Sequence, residues 1–136
     1  MKTVVATSGY FNPLHVGHVR MLEDAKRLGD ILIVIVNNDR QVGLKGSVPF
    51  MSEGERIEIV RALKCVDQVV LSKDRDGTVK KTLIELAPDI FAKGGDSEPM
   101  NTPEIDTCRV LGICVFFGVG GPKIQSSSEL IKNILP

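Results

Sequence analysis

Apolar, β-branched runs recur five times along the chain, at residues 4–7, 31–36, 68–71, 89–92 and 113–117. Each is short and continuously hydrophobic, the pattern of a strand buried on both faces in a parallel sheet. Helical periodicity separates them. Val19, Leu22, Ala25, Lys26 and Leu28 follow the first run, and Gly29 is a natural stop. Ser52-Glu53-Gly54-Glu55 reads as a capping box ahead of Ile57, Val60, Ala62 and Leu63. Val79, Leu83, Ile84 and Leu86 predict a third helix that ends before Pro88. Thr102-Pro103 offers an N-cap and a proline at the first position of a fourth, running to about residue 111. Ser126 to Glu129 repeats the capping-box pattern and opens a fifth, with Leu130, Ile131 and Ile134. Segment 38–51 shows no such period and is the longest predicted loop, a length often reserved for function.

Strand and helix in alternation make βαβ units with right-handed crossovers. The predicted fold is α/β: one Rossmann-like domain over residues 1–136, a doubly wound five-stranded parallel sheet with helices on both faces. That length supports one sizeable core, and no linker, repeat or low-complexity tract divides it. In such a sheet ligands lie beyond the carboxyl ends of the strands, where the strand order switches. The residues that follow each strand therefore matter most. They are Ser8 to His18; Asn37, Asn38, Asp39 and the loop with Lys45; Ser72 and Lys73; Lys93-Gly94-Gly95-Asp96; and Gly118 to Lys123, leading into Ser126-Ser127-Ser128. Glycine, lysine, hydroxyl and imidazole groups gathered at one edge suit a polyphosphate.

Charge narrows the partners. Lysine plus arginine and aspartate plus glutamate number 17 each. The chain has no global basic field, which argues against a dedicated nucleic-acid partner. Cys65, Cys108 and Cys114 form no Cys-x-x-Cys pair and read as free thiols in a reducing compartment, with Cys114 a small core residue inside its apolar run. The N-terminal residues carry no signal-peptide pattern, and the longest apolar run, 31–36, is too short to span a bilayer. The expectation is a cytoplasmic protein with no membrane partner.

The only two histidines, His15 and His18, flank Gly17 where the first strand gives way to the first helix. A helix N-terminus there supplies free N–H groups and a positive dipole end, and a glycine lets the backbone approach a ligand. Two imidazoles at that point can hold charge that builds on a phosphoryl group. The plainer alternative is that both merely satisfy local polar groups. Zinc is the weaker option, with no third histidine and no cysteine nearby. Ser126, Ser127 and Ser128 exceed what one N-cap needs, and three hydroxyls at a helix start make a triphosphate cradle. Lys45, on spacing alone, is a solvated loop lysine, and Lys80-Lys81 a solvated helix face. Gly118 to Lys123 lacks the third glycine of a dinucleotide fingerprint, and neither a Walker A lysine nor a Gly-x-Ser-x-Gly elbow is present.

Gly9-Tyr10-Phe11-Asn12-Pro13-Leu14-His15-Val16-Gly17-His18 resembles the His-x-Gly-His signature of the small nucleotidyltransferases. That superfamily includes glycerol-3-phosphate cytidylyltransferase and heptose-1-phosphate adenylyltransferase. The resemblance covers nearly the whole chain. It implies that His15 and His18 contact the nucleotide phosphates and stabilise the transition state. Leu44-Lys45-Gly46 and Lys93-Gly94-Gly95-Asp96 are similar to the heptose-phosphate adenylyltransferases, where the lysine reaches the reacting phosphates, and they lean the nucleotide towards ATP. The serine cluster matches the position that binds the β and γ phosphates. Gly121-Pro122-Lys123-Ile124-Gln125 replaces the Arg-Thr-Glu-Gly run of the cytidylyltransferases, leaving Lys123 to supply the charge. Asn12 stands where most of them have Asp, and the alternative is a plain turn residue, for which asparagine serves well.

The reaction this implies moves AMP or CMP from ATP or CTP to a small phosphorylated acceptor (a sugar, polyol or amino-alcohol phosphate) and releases pyrophosphate. The acceptor's phosphate oxygen is already an anion, so positioning and charge stabilisation suffice. His15, His18 and Lys45 are the expected catalytic residues. Gly9, Tyr10, Phe11, Gly17, Gly94 and Asp96 are expected at the nucleotide, Lys123 with Ser126 to Ser128 at the leaving pyrophosphate, and Lys73 at the acceptor phosphate. Mg²⁺ is expected bound through the nucleotide phosphates rather than in a protein cage. A homodimer is implied by the resemblance alone. Two other readings stand beside this one. A non-catalytic nucleotide-binding module needs neither both histidines nor Lys45. A fragment of a class I tRNA synthetase shares a similar signature but has no room here for an anticodon-reading domain.

Overall fold

A computed structural model describes residues 1–95 and 97–121. The expected fifth helix, with Lys123, Ser126, Ser127 and Ser128, and also Asp96, lies outside the described residues.

Five strands form one sheet in the order β3-β2-β1-β4-β5, every neighbouring pair parallel. They are β1 (Val4–Gly9), β2 (Ile31–Val36), β3 (Gln68–Leu71), β4 (Ile90–Gly94) and β5 (Cys114–Val119). The order makes β1 and β4 the switch point of a doubly wound sheet. Five α-helices connect them: α1 (Val16–Lys26), α2 (Asp39–Leu44), α3 (Glu53–Arg61), α4 (Lys80–Leu86) and α5 (Ile105–Leu111). Leu22, Ala25 and Val60 of α1 and α3 pack with Val5, Leu32, Val34 and Val36 on one face. Leu83 and Cys108 of α4 and α5 pack with Ala6, Ile35 and Phe91 on the other. Among the described residues no helix is long and apolar enough to cross a membrane.

The register shapes the site. β1 pairs with β2 as far as Gly9 opposite Val36, but with β4 only as far as Thr7 opposite Ala92. Beyond that point the two central strands part, and the buried Thr7 hydroxyl donates to the Ala92 carbonyl at 2.8 Å where they do so. Into the opening comes α1. A Cβ on Gly94 would lie 2.8 Å from Met21 Cγ, and one on Gly120, at φ +88°, 2.8 Å from Met21 Cα. Both positions must be glycine for the helix to sit this close.

Several expectations are corrected. Segment 38–51 is not all loop, because Asn38 and Gln41 form a reciprocal capping box that opens α2. The fourth interconnecting helix starts at Ile105, after a short 3₁₀ turn at Pro99–Asn101, and not at Thr102-Pro103. Its expected cap, Thr102, instead donates its hydroxyl to the Glu98 carbonyl. The outer strands are not buried on both faces, since β3 and β5 are edges. Cys114, expected in the core, is consequently exposed on β5, where exposure alternates along the strand.

The thiols should report this difference. Burial, and next the Glu104 carboxylate, push the Cys108 thiol up to about 11. The neutral thiol is therefore favoured by folding. Its contribution is intact below the ordinary thiol range and lost as pH rises from about 9 towards 11. A thiol-specific disulfide reagent at pH 8 should modify Cys114 quickly and Cys108 only on unfolding. Rapid labelling of Cys108 in the folded protein would contradict its placement.

Candidate active site

The two histidines build the start of α1. His15 is its N-cap, and its Nδ1 accepts the Gly17 N–H at 3.1 Å. His18 answers from the first turn, its Nδ1 accepting the His15 N–H at 3.1 Å. The rings stack with centroids 3.8 Å apart, and Phe11 meets His18 edge-on at 4.9 Å. The plainer reading of these residues is thus true as far as it goes, because both imidazoles cap the helix. It accounts for the Nδ1 of each ring. Both rings also stand at a helix N-terminus, where backbone N–H groups and the positive dipole end favour an anion.

Phe11, expected at the nucleoside, is 3% exposed, and its ring folds back under Gly9, where a Cβ would lie 2.7 Å from Phe11 Cζ. It acts on the site by seating His18. Gly9 serves that ring, and Gly94 gives its side-chain direction to Met21, so a nucleoside at β4 would meet backbone there. Gly17 lends its N–H to the cap.

Tyr10 and Lys45 do come together. The Lys45 ammonium lies 4.3 Å from the centroid of the Tyr10 ring, and both line a cavity of about 550 Å³ with Gln41, Leu44, Arg75, Asp76 and Gly77. Burial, then the Glu104 carboxylate, push the Tyr10 phenol up, so the ring presents a neutral hydroxyl. Lys73 is not part of this cavity lining. Its ammonium is held by both carboxylate oxygens of Glu85 on α4 at 2.6 Å, and the basic residue of this turn that lines the cavity, beside Lys45, is Arg75, two positions on.

Three buried polar residues hold the site together, and sequence reasoning assigns two of them, Arg56 and Gln41, no part in it. Arg56 of α3 is fully buried, and its guanidinium donates to the carbonyls of Met51, Tyr10 and Asn37 and to Asp39 Oδ1, all within 3.1 Å. It joins the ends of β1 and β2 to the start of α2. Gln41, also fully buried, accepts from Asn37 and Asn38 and donates to the carbonyls of Asp76 and Thr78. Asn12 pins the loop before α3 to the histidine segment. Its Nδ2 donates to the Val48 carbonyl at 3.0 Å and its Oδ1 accepts the Phe50 N–H at 2.6 Å.

Asn12 is thus more than a turn residue, and it must both donate and accept. Asn12→Asp keeps the acceptor and sets a carboxylate against the Val48 carbonyl. The expected loss is about 1–3 kcal/mol of stability, the cost of an unmet buried polar group. A urea midpoint equal to that of the parent protein would show that the 48–51 loop holds itself.

The chain is similar to known proteins over most of its length. The cytidylyltransferase-like family model matches residues 6–132. A bifunctional protein HldE from Citrifermentans bemidjiense is 52% identical over 138 residues, which cover 98% of this chain and 27% of that protein. Another from Syntrophotalea carbinolica is 50% identical over 100 residues, 72% of this chain and 20% of that protein. The chain therefore spans only about a fifth to a quarter of the length of these bifunctional relatives. An FAD synthase from Thermoplasma volcanium is 37% identical over 139 residues, covering 96% of this chain and 93% of that one. The solved structure of a lipopolysaccharide core biosynthesis protein, also from Thermoplasma volcanium, superposes with a TM-score of 0.75 at 33% identity, over 87% of this chain and 95% of that one.

Proposed function

This chain belongs to the cytidylyltransferase-like family of nucleotidyltransferases, and from that premise we propose that it transfers AMP from ATP to a small phosphorylated acceptor, releasing pyrophosphate. The observation that carries the reading is the reciprocal imidazole cap. It stacks two imidazoles at a helix N-terminus beside the parting of β1 and β4. The acceptor's phosphate oxygen attacks the α-phosphorus in line, forming the new P–O bond as the bond to pyrophosphate breaks. His15 and His18 donate to the charge that gathers on the α-phosphate oxygens. Lys45 adds a positive charge from the α2 side. No group has to remove a proton, because the nucleophile arrives as an anion.

Imidazole and ammonium groups suit phosphate oxygens rather than Mg²⁺. The cation would therefore come bound through the nucleotide's own phosphates, where it neutralises their charge. The preference for ATP over CTP rests on the Leu44-Lys45-Gly46 and Lys93-Gly94-Gly95 runs. The relatives named HldE and FAD synthase favour a sugar or flavin phosphate as acceptor.

Pyrophosphate release measured across four nucleoside triphosphates and a panel of acceptor phosphates tests the reading. Release with ATP and one acceptor, and none with either alone, is the expected result. Binding of ATP without release in any combination would favour the non-catalytic module instead.

A further inference from the structure

The cavity beside Tyr10 has two basic walls built from different elements. One is the end of α2 with Leu44 and Lys45. The other is the turn between β3 and α4, with Arg75, Asp76 and Gly77. That turn is firmly held. Asn38 donates to the carbonyls of Ser72 and Asp74, Arg40 to that of Arg75, and the buried Gln41 to those of Asp76 and Thr78, all at 2.7–3.1 Å. Arg75 is exposed, and among the described residues its guanidinium takes part in no ion pair. A fixed turn that brings an arginine without an ion pair to the lining of a cavity is an arrangement suited to recognising an anion.

The rest of the lining narrows the anion's bearer. Asp76 Oδ1 accepts both the N–H and the hydroxyl of Thr78, and these bonds hold its carboxyl below the usual range. Oδ2 then remains an acceptor for a ligand hydroxyl. Tyr10 is the one aromatic residue named in the lining, and its ring already carries the Lys45 ammonium. A quaternary or primary ammonium head would find no aromatic face to itself and two like charges against one carboxylate.

Resting on the transfer reading above, we propose that this cavity is the acceptor subsite, that Arg75 clamps the acceptor's phosphate, and that it selects phosphomonoesters with uncharged, hydroxyl-bearing bodies over zwitterionic ones. Lys45, shared between cavity and catalytic edge, places that phosphate for attack. Sugar and flavin phosphates meet this description, whereas phosphocholine and phosphoethanolamine do not.

Isothermal calorimetry of the whole chain with glycerol 3-phosphate, a hexose 1-phosphate, flavin mononucleotide and phosphocholine tests the proposal. At least one of the first three should bind, and phosphocholine should bind about tenfold or more weakly. Arg75→Gln should weaken the bound ester about tenfold or more, as loss of a charged hydrogen bond does. Arg75→Lys should recover part of that, keeping charge without the fork. Arg109→Gln removes the same charge from a surface pair with Asp106 and should change nothing. Unchanged affinity in Arg75→Gln, phosphocholine bound as tightly as the others, or no ester bound at all would each overturn the proposal. Pyrophosphate release is read separately on the same proteins. Intact ester binding with no release under any triphosphate defeats the transfer reading and leaves the clamp. Release that survives Arg75→Gln with an unchanged acceptor KM defeats the clamp and leaves the transfer reading.

Discussion

His18→Asn should lower kcat by on the order of 10²-fold or more, the usual loss when one fixed donor to a transition-state anion is removed. The choice of asparagine matters. His18 has one role in the structure and a second in the proposed transfer: Nδ1 accepts the His15 N–H and completes the helix cap, and the ring would meet the phosphate. An asparagine oxygen falls near the position of Nδ1, so the cap survives and only the imidazole's part in the proposed transfer is lost. His18→Ala removes both, adding about 1 kcal/mol of capping loss to the catalytic effect. Comparing the two variants by urea unfolding and by saturated pyrophosphate release separates the roles. An asparagine variant with the parent's kcat would leave His18 a capping residue and nothing more.

The largest effect on stability should come from Arg56→Lys. The guanidinium has no solvent exposure and meets three backbone carbonyls and one carboxylate oxygen. A lysine ammonium is one nitrogen with three protons and cannot reach four acceptors spread across Met51, Tyr10, Asn37 and Asp39. Carbonyls at the ends of β1 and β2 would then be buried without donors. The expected cost is about 3–5 kcal/mol, as when a buried ion pair loses its geometry. That is a large share of the roughly 5–15 kcal/mol that holds a domain of this kind folded. Chemical denaturation is the check, and a loss below about 1 kcal/mol would mean that water replaces the missing donors.

The fold and the histidine corner of the candidate site were legible because both are written in local pattern. β2 occupies the residues its apolar run predicts, and α3 begins after Ser52, whose hydroxyl accepts the Glu55 N–H. His15 and His18 stand at a strand-to-helix junction that any such run would create. What stayed hidden depends on contacts distant in sequence. Arg56 looks like an ordinary helix arginine until the chain brings Tyr10 and Asn37 to it. Asn12 reads as a turn residue until Val48 and Phe50 close on it. No period marks Asp39–Leu44 as a helix, and a six-residue element with an internal glycine forms because Asn38 and Gln41 cap it and the neighbouring turn receives Gln41. Lys73 is the sequence candidate for the acceptor phosphate, and Arg75, two positions on, carries the same charge. Only the Glu85 carboxylate on α4 tells which of them is already engaged.

The separation of β1 from β4 after Thr7 and Ala92 is a matter of backbone register, secured below by continuous pairing and beside by Met21. Among the described residues, a recess made in that way takes its shape from strand register and not from a hinge. Rigidity of this kind moves the entropic cost of association from protein to ligand. Complexes at this cleft should therefore form with little backbone rearrangement, and amide exchange in β1 and β4 should be as slow without nucleotide as with it.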